Sequence, residues 1–193
     1  MNGSSKIMRD FDLTPRRLPA ISYALIGTVC GIAMGIKFAD IDLLFPSCLL
    51  HHRALLTHGF ILPLCLSWIV WRTRLQFLRG VTLGFCVTNT VHLSFDLFPQ
   101  AWRGYALIHL FWLSFPPLLS WIWIAGSLVI CWYLWRMFVR TLWELCLSAA
   151  GLLAGFVVYA HEGILSPLIA MALSAMIAFL FPLNHSRSGR REI

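Results

Sequence analysis

The sequence predicts an all-α, polytopic membrane protein: one bundle of about six transmembrane helices with one further interfacial or re-entrant helix. Two observations support this fold class. The mean hydropathy of the 193 residues is +0.77 and 59% of them are hydrophobic, which is too apolar for an ordinary soluble domain. Several apolar runs also approach the roughly 20 residues that a helix needs to cross the hydrocarbon core. These runs are continuous rather than alternating, so a transmembrane β-barrel is not expected.

The predicted spans are six apolar runs separated by polar or proline-containing segments: 18–36, 54–71, 80–98, 118–135, 142–160 and 164–183. The apolar run over residues 105–135 is too long for one span, and Pro116 and Pro117 divide it. Residues 105–115 are therefore expected to form the interfacial or re-entrant helix. The domain prediction is a cytoplasmic tail over 1–18, one membrane-embedded domain over 19–183 and a basic tail over 184–193.

Glycines recur at four-residue intervals within three of the predicted spans. They are Gly27, Gly31 and Gly35 in the first span, Gly80 and Gly84 in the third, and Gly151 and Gly155 in the fifth. A strip of small residues lets a neighbouring helix approach closely. Close packing within one chain is favoured over a dimer interface, and the oligomeric state is not predicted.

The basic residues predict the orientation of the chain. With the N-terminus in the cytoplasm, twelve of the fifteen Lys and Arg residues fall on the cytoplasmic side, and Lys37, Arg53 and Arg103 fall outside. This bias predicts a bacterial-type inner (plasma) membrane protein with both termini cytoplasmic. The net charge of +7 is thereby explained by orientation, so no nucleic-acid partner is expected. The six cysteines contain no CxxC pair and are expected to be free thiols.

One polar segment, residues 40–58, stands out from the apolar background, and a His–Asp pair follows it one span later. Together they supply the candidate site residues Asp40, Asp42, His51, His52, Arg53, His58, His92 and Asp96. The predicted topology places all of them on the outer side. Imidazoles beside carboxylates are ligands for a divalent cation, with zinc the first choice and manganese the second.

The spacing of these residues sharpens the metal-site prediction. His92 and Asp96 are four residues apart, so they share one face of a helix. His58 is expected about one turn inside the second span, where an ionisable side chain is a candidate functional group. Asp40 and Asp42 are two residues apart and would point the same way in an extended loop. His109, His161 and Glu162 fall on the same side, and the two histidines are more simply interfacial side chains.

The order of three motifs, D-x-D, H-R-x-x-x-T-H and H-x-x-x-D, resembles the family of membrane-bound, metal-dependent hydrolases. That family includes LexA-regulated inner-membrane hydrolases and is related to zinc-dependent phospholipase C. The resemblance covers about residues 40–99 and implies a helical metal site with Asp40, Asp42, His52, His58, His92 and Asp96 at motif positions. Ala54 stands where the family usually has glycine, and one residue is added before Thr57. His51 and His52 therefore stay alternatives as ligands. Either His109 or His161 completes the set, or the set is incomplete, which would imply a binding protein or a degenerate enzyme.

A bound metal would activate water near neutral pH, with Asp96 or Asp42 as general base. Asp42 could alternatively bridge two metals. Arg53 would clamp a phosphate or pair with Asp40 or Asp42. The predicted reaction is hydrolysis of a phosphoester or ester, carried by a membrane lipid, a lipid-linked molecule or a small phosphoester.

The rival prediction is a non-catalytic membrane protein, such as a metal-binding protein, a carrier or an assembly factor. A carrier needs polar groups near the bilayer midplane. Apart from Thr88, Asn89 and Thr90, the interiors of the predicted spans are nearly bare of such groups.

Overall fold

The computed structural model describes residues 18–44, 53–97, 107–110 and 113–181. These residues form an all-helical fold, as predicted, with six α-helices: α1 Leu18–Phe38, α2 Ile61–Thr73, α3 Gln76–Leu97, α4 Pro117–Phe138, α5 Leu142–Tyr159 and α6 Leu165–Leu180. Two 3₁₀ helices, Ala39–Leu44 and Ala160–Glu162, continue α1 and α5. Two short antiparallel strands, β1 (His109–Leu110) and β2 (Leu113–Ser114), precede α4. The predicted basic tail, and all but the last residue of the predicted N-terminal tail, lie outside the described residues.

Helix α3 is the centre of the bundle. Every residue from Arg79 to Leu97 is buried, and the other five α-helices all pack against α3. Its hydroxyl side chains can be buried because they donate hydrogen bonds within the helix: Thr88 to the carbonyl of Gly84, and Thr90 to that of Cys86. The C-terminal end of this enclosed helix carries His92 and Asp96.

Glycines bring α1 and α3 into backbone contact. A Cβ atom built on Gly84 would overlap the carbonyl oxygen of Thr28, and one built on Gly31 would overlap that of Val81. The glycines of α1 and α3 therefore allow two helices of the same chain to pack closely, as the sequence predicted. This packing fixes the end of α1 beside the end of α3, where the candidate site residues lie.

Replacing Gly84 by alanine should destabilise the protein by about 1–3 kcal/mol, the usual cost of overpacking a close interface. Helix propensity alone predicts the opposite sign, because alanine favours a helix by about 1 kcal/mol over glycine. Gly126 in α4 is the matched control, since a Cβ atom there would meet nothing within 4 Å. Thermal unfolding in detergent should show Gly84→Ala less stable and Gly126→Ala at least as stable as the parent. Equal stability of the two variants would contradict the role of the glycine contact.

Three segments are long and apolar enough to cross a membrane: Pro19–Phe38, Pro117–Phe138 and Leu142–Tyr159. Large apolar side chains are exposed along the outer helices, among them Leu118, Leu153 and Leu173. Together these features indicate association with a membrane. Two further apolar helices, Ile61–Thr73 and Leu165–Leu180, are shorter. Helix α3, as far as the structure describes it, is less apolar than these three segments. Its enclosure by five helices explains why its polar residues are tolerated.

Two predicted elements were wrong. The helix expected from residue 54 begins at Ile61, and residues 53–60 form turns instead. The helix expected over 105–115 is replaced, in its described part, by the two strands. Both differences have one cause, because the two segments bond to each other: Leu55 N–H donates to the His109 carbonyl at 2.8 Å, and His109 N–H donates to the Arg53 carbonyl at 3.0 Å.

Candidate metal centre

Three separate elements bring the described candidate site residues to one end of the bundle, and a fourth adds Tyr159. Helix α3 ends with His92 and Asp96, one turn apart. The 3₁₀ helix after α1 carries Asp40 and Asp42, and the turns before α2 carry Arg53, Thr57 and His58. Helix α5 ends at Tyr159. Because α1 and α3 are locked by glycine contacts, Asp40 comes within reach of His92.

Three potential ligand atoms converge in the interior of this end. Nε2 of His58 lies 3.4 Å from Oδ2 of Asp96, and Nε2 of His92 lies 3.1 Å from the same oxygen. One ligand atom from each of the three residues lies within 4.8 Å of the others. Tetrahedral zinc ligands at about 2.1 Å from the metal are separated by about 3.4 Å. The cluster of His58, His92 and Asp96 therefore has the dimensions that a small divalent cation requires.

Tyr159 determines which nitrogen of His92 faces the cluster. Its hydroxyl donates to the Ile36 carbonyl at 2.5 Å and lies 3.1 Å from Oδ2 of Asp40, and both of these oxygens are acceptors. A tyrosine has a single hydroxyl proton, so the Tyr159 oxygen accepts from Nδ1 of His92, 2.8 Å away. A neutral His92 thus carries its proton on Nδ1 and presents the Nε2 lone pair to Asp96.

Asp42 orients His58 in the same way. Its Oδ2 lies 3.3 Å from Nδ1 of His58 and also accepts from the Ala54 N–H at 3.2 Å and the Thr57 hydroxyl at 3.0 Å. The Thr57 hydroxyl also lies 3.0 Å from Nδ1 of His58, and its single proton goes to Asp42 or to the Ala54 carbonyl. Both neighbours of Nδ1 can therefore accept a proton that a neutral His58 carries there. Metal-binding histidines commonly have a carboxylate on the far side of the ring, and this arrangement leaves Nε2 directed at the cluster.

Arg53 holds the third residue of the cluster. Its Nε donates to Oδ1 of Asp96 at 3.2 Å, which leaves Oδ2 facing the two imidazoles. Within the described part of the chain, no hydrogen bond of normal geometry reaches this buried Oδ2. Arg53 also has a left-handed backbone (φ 63°), which is uncommon outside glycine and is found more often at functional sites.

The acidic side chains around the cluster favour binding of a cation. Among the described residues around the cluster, Asp40, Asp42 and Asp96 are acidic and Arg53 pairs with Asp96, so these four side chains carry a net charge of −2 when both imidazoles are neutral. Lys37 stands at the rim, with Nζ 6.0 Å from the centre of the Tyr159 ring. Buried charge without compensation is costly. A divalent cation would balance the cluster, and protonation of both imidazoles is the alternative.

Other site residues differ from expectation in their placement. His58 lies in a turn three residues before α2 rather than inside a helix. Asp40 and Asp42 do not point the same way, because they occupy a 3₁₀ helix with three residues per turn. Asp42 faces His58, whereas Oδ1 of Asp40 lies 3.8 Å from Nε2 of His92. Nδ1 of His109, which the sequence offered as a further ligand, hydrogen-bonds to the Ser114 hydroxyl. His51 and His52 lie outside the described residues.

Sequence reasoning missed Tyr159 and gave Thr57 no role. Tyr159 stands at the end of a predicted span with no motif around it, and its partner His92 is 67 residues away. Thr57 belongs to the T-H pair, which was the available signal. No local pattern reveals a hydroxyl that becomes a partner only through the packing of α5 against α3.

The chain thus contains a buried cluster of His58, His92 and Asp96 that could hold a metal ion. Comparisons of the chain with protein-family profiles, with functionally characterised proteins and with solved structures found no match, so its function is inferred from the geometry of this cluster.

Proposed function

We propose that this protein is a membrane-bound, metal-dependent hydrolase acting on a phosphoester or ester at the membrane face where the cluster lies. The observation that carries the proposal is that every converging ligand has its own supporting partner: Asp42 behind His58, Tyr159 behind His92 and Arg53 behind Asp96. Such partners orient the ligands of metal sites. Among the described residues, two histidines and one carboxylate converge, and three protein ligands are typical of catalytic rather than structural zinc.

When bound, a divalent cation, zinc first and manganese second, acts as a Lewis acid and activates water near neutral pH. Asp40 is the best-placed general base, because its carboxylate is 25% exposed and lies at the open side of the cluster, beside His92. Asp42 is assigned to orienting His58, since its Oδ2 already accepts from Ala54 and Thr57. Arg53 fixes Asp96 through Nε, and its planar guanidinium has further donors that suit a phosphate oxygen.

The proposal includes six spans, both termini in the cytoplasm of a bacterial-type inner membrane, and the cluster on the outer side. The bias of Lys and Arg supports this orientation. Helix α2 has 13 residues, about 20 Å, so the turns before it would complete its crossing. Irregular backbone at membrane depth is tolerated where protein encloses it, and Arg53, Ala54 and His58 are all buried. A site at headgroup level suits a phospholipid or lipid-linked substrate.

Activity assays with and without chelator test the proposed reaction. The full chain, purified in detergent, is assayed against a panel of lipid and small phosphoesters and carboxylic esters. Chelation should abolish turnover, and zinc or manganese should restore it. Asp96→Asn should reduce turnover by more than about 100-fold, because loss of a ligand exceeds the 10–100-fold effect of an outer partner.

His161→Ala is the control for this assay, because His161 is exposed at the same end of the bundle and lies outside the cluster. Turnover that persists in chelator, or that Asp96→Asn leaves unchanged, would contradict a metal-dependent hydrolase.

A second candidate function, metal binding without catalysis, is favoured by the depth of the cluster. The side chains of His58, His92 and Asp96 are 0%, 6% and 11% exposed, so a substrate would enter beside Asp40. Stoichiometric metal in a protein that turns over no ester on the panel would support this candidate over the hydrolase.

A further inference from the structure

A second charged cavity lies at the opposite end of the bundle, between the α2–α3 turn and the α4–α5 turn. Its volume is about 390 Å³, and its lining includes Trp71, Arg74, Arg79, Met137, Phe138 and Arg140. Arg79 and Asp96 are 17 positions apart on α3, which corresponds to about 25 Å. The cavity therefore lies at the other end of the bundle from the cluster of His58, His92 and Asp96, and its residues take no part in the proposed hydrolase site.

One of the three arginines is committed to the fold. Arg79 pairs with Glu144, donates to the Phe138 carbonyl at 2.6 Å and donates to the Gln76 side chain at 2.8 Å. The second oxygen of Glu144 accepts from the backbone N–H groups of Arg140 and Thr141. Both carboxylate oxygens are thus used in holding the helix ends together.

The other two arginines leave the cavity positively charged. Among the described acidic residues, Glu144 is the one at this end, because Asp40, Asp42, Asp96 and Glu162 follow or end helices at the other end. Arg74 and Arg140 therefore contribute charge beyond what Glu144 balances. Partial desolvation of the Arg140 side chain lowers its pKa, the charge of Arg79 lowers it further, and Glu144 acts in the opposite direction.

The backbone fixes Arg74 at the mouth of this cavity. Arg74 caps α2 in the left-handed conformation (φ 56°), a position that glycine usually takes, and its N–H donates to the Val70 carbonyl at 2.8 Å. Trp71 and Met137 form an apolar wall beside it, and Trp71 is 71% exposed. The cavity thus combines cationic groups with an apolar side that faces outward from the bundle.

We propose that this cavity binds a phosphate group, supplied by the headgroup of an anionic phospholipid in the leaflet on this side. Guanidinium groups form strong, directional hydrogen bonds with phosphate oxygens. Basic pockets between membrane helices suit anionic headgroups, and the exposed Trp71 and Met137 would lie against the acyl chains. A free phosphate has the same recognition chemistry without a use for the apolar wall.

The test is a binding titration on the full chain in neutral detergent, with phosphatidylglycerol, phosphatidylcholine and inorganic phosphate as separate probes. Phosphatidylglycerol should bind more tightly than phosphatidylcholine. Arg74→Gln and Arg140→Gln should each weaken its binding by about fivefold, and the double variant by about 25-fold, as expected when each guanidinium contributes one hydrogen bond to the phosphate. Both residues are exposed, so these variants should fold.

Arg72→Gln is the matched control, because Arg72 lies in the last turn of α2 with its guanidinium over the Trp68 ring and does not line the cavity. Inorganic phosphate that binds as tightly as the lipid, and is weakened by the same two variants, would support the phosphate site and assign it to a free anion. Phosphatidylglycerol binding that is equal in the double variant and in Arg72→Gln would overturn the proposal.

Discussion

Replacing His92 by alanine should remove the metal from the purified protein while leaving the bundle folded. The change deletes one of three converging ligand atoms and leaves the hydroxyl of Tyr159 bonded to the Ile36 carbonyl. We expect metal affinity to fall by more than about 100-fold, beyond the range of outer-partner substitutions. Elemental analysis after purification should show about one metal per chain in the parent and a small fraction of that in the variant. His58→Ala should behave in the same way.

Two histidines at the same end of the bundle serve as controls for this measurement. His161 is exposed, and His109 bonds to Ser114 in the short strand pair, so His161→Ala and His109→Ala should retain the metal. Helical circular dichroism should be unchanged in all four variants. A parent protein without metal, or a His92→Ala variant with the parental amount, would reduce the cluster to an ionic network in which protonated imidazoles balance the carboxylates.

The convergence of His58, His92 and Asp96 was predictable because it follows from two simple rules. Residues four apart share a helix face, which pairs His92 with Asp96. Consecutive spans joined by a short turn run in opposite directions, so the start of the second predicted span, with His58, lies at the same end as the close of the third. Neither rule requires knowledge of side-chain packing. The all-helical class was predictable for the same reason, since it depends on the length and composition of apolar runs.

The errors occur where distant backbone groups bond to each other. The start of α2 was placed seven residues early because residues 54–60 are apolar enough for a helix, whereas the Leu55 amide donates to the His109 carbonyl and the Ala54 amide donates to Asp42. The same pairing replaces the helix expected over 105–115. The different directions of Asp40 and Asp42 depend on a 3₁₀ turn at the end of α1 that no residue pattern announces.

Replacing Arg79 by methionine should destabilise the protein by about 3–5 kcal/mol, the usual effect of removing one partner of a buried ion pair. Glu144 is 1% exposed and would lose the guanidinium that balances its charge, while the Phe138 carbonyl would lose a donor from another helix. Arg79 is one of the basic residues that predict the orientation, and its buried contacts also link the α2–α3 turn to the α4–α5 turn. Chemical or thermal unfolding in detergent would measure the loss of stability.

The double variant Arg79→Met/Glu144→Gln separates loss of the ion pair from loss of side-chain volume. Glutamine keeps the capping box that Glu144 forms with Thr141 at the start of α5, but carries no charge. Because replacing both partners of a buried pair is often nearly neutral, the double variant should recover most of the stability lost in Arg79→Met. A double variant as unstable as the single one would mean that the packing of the aliphatic part of Arg79, and not its charge, stabilises this end of the bundle.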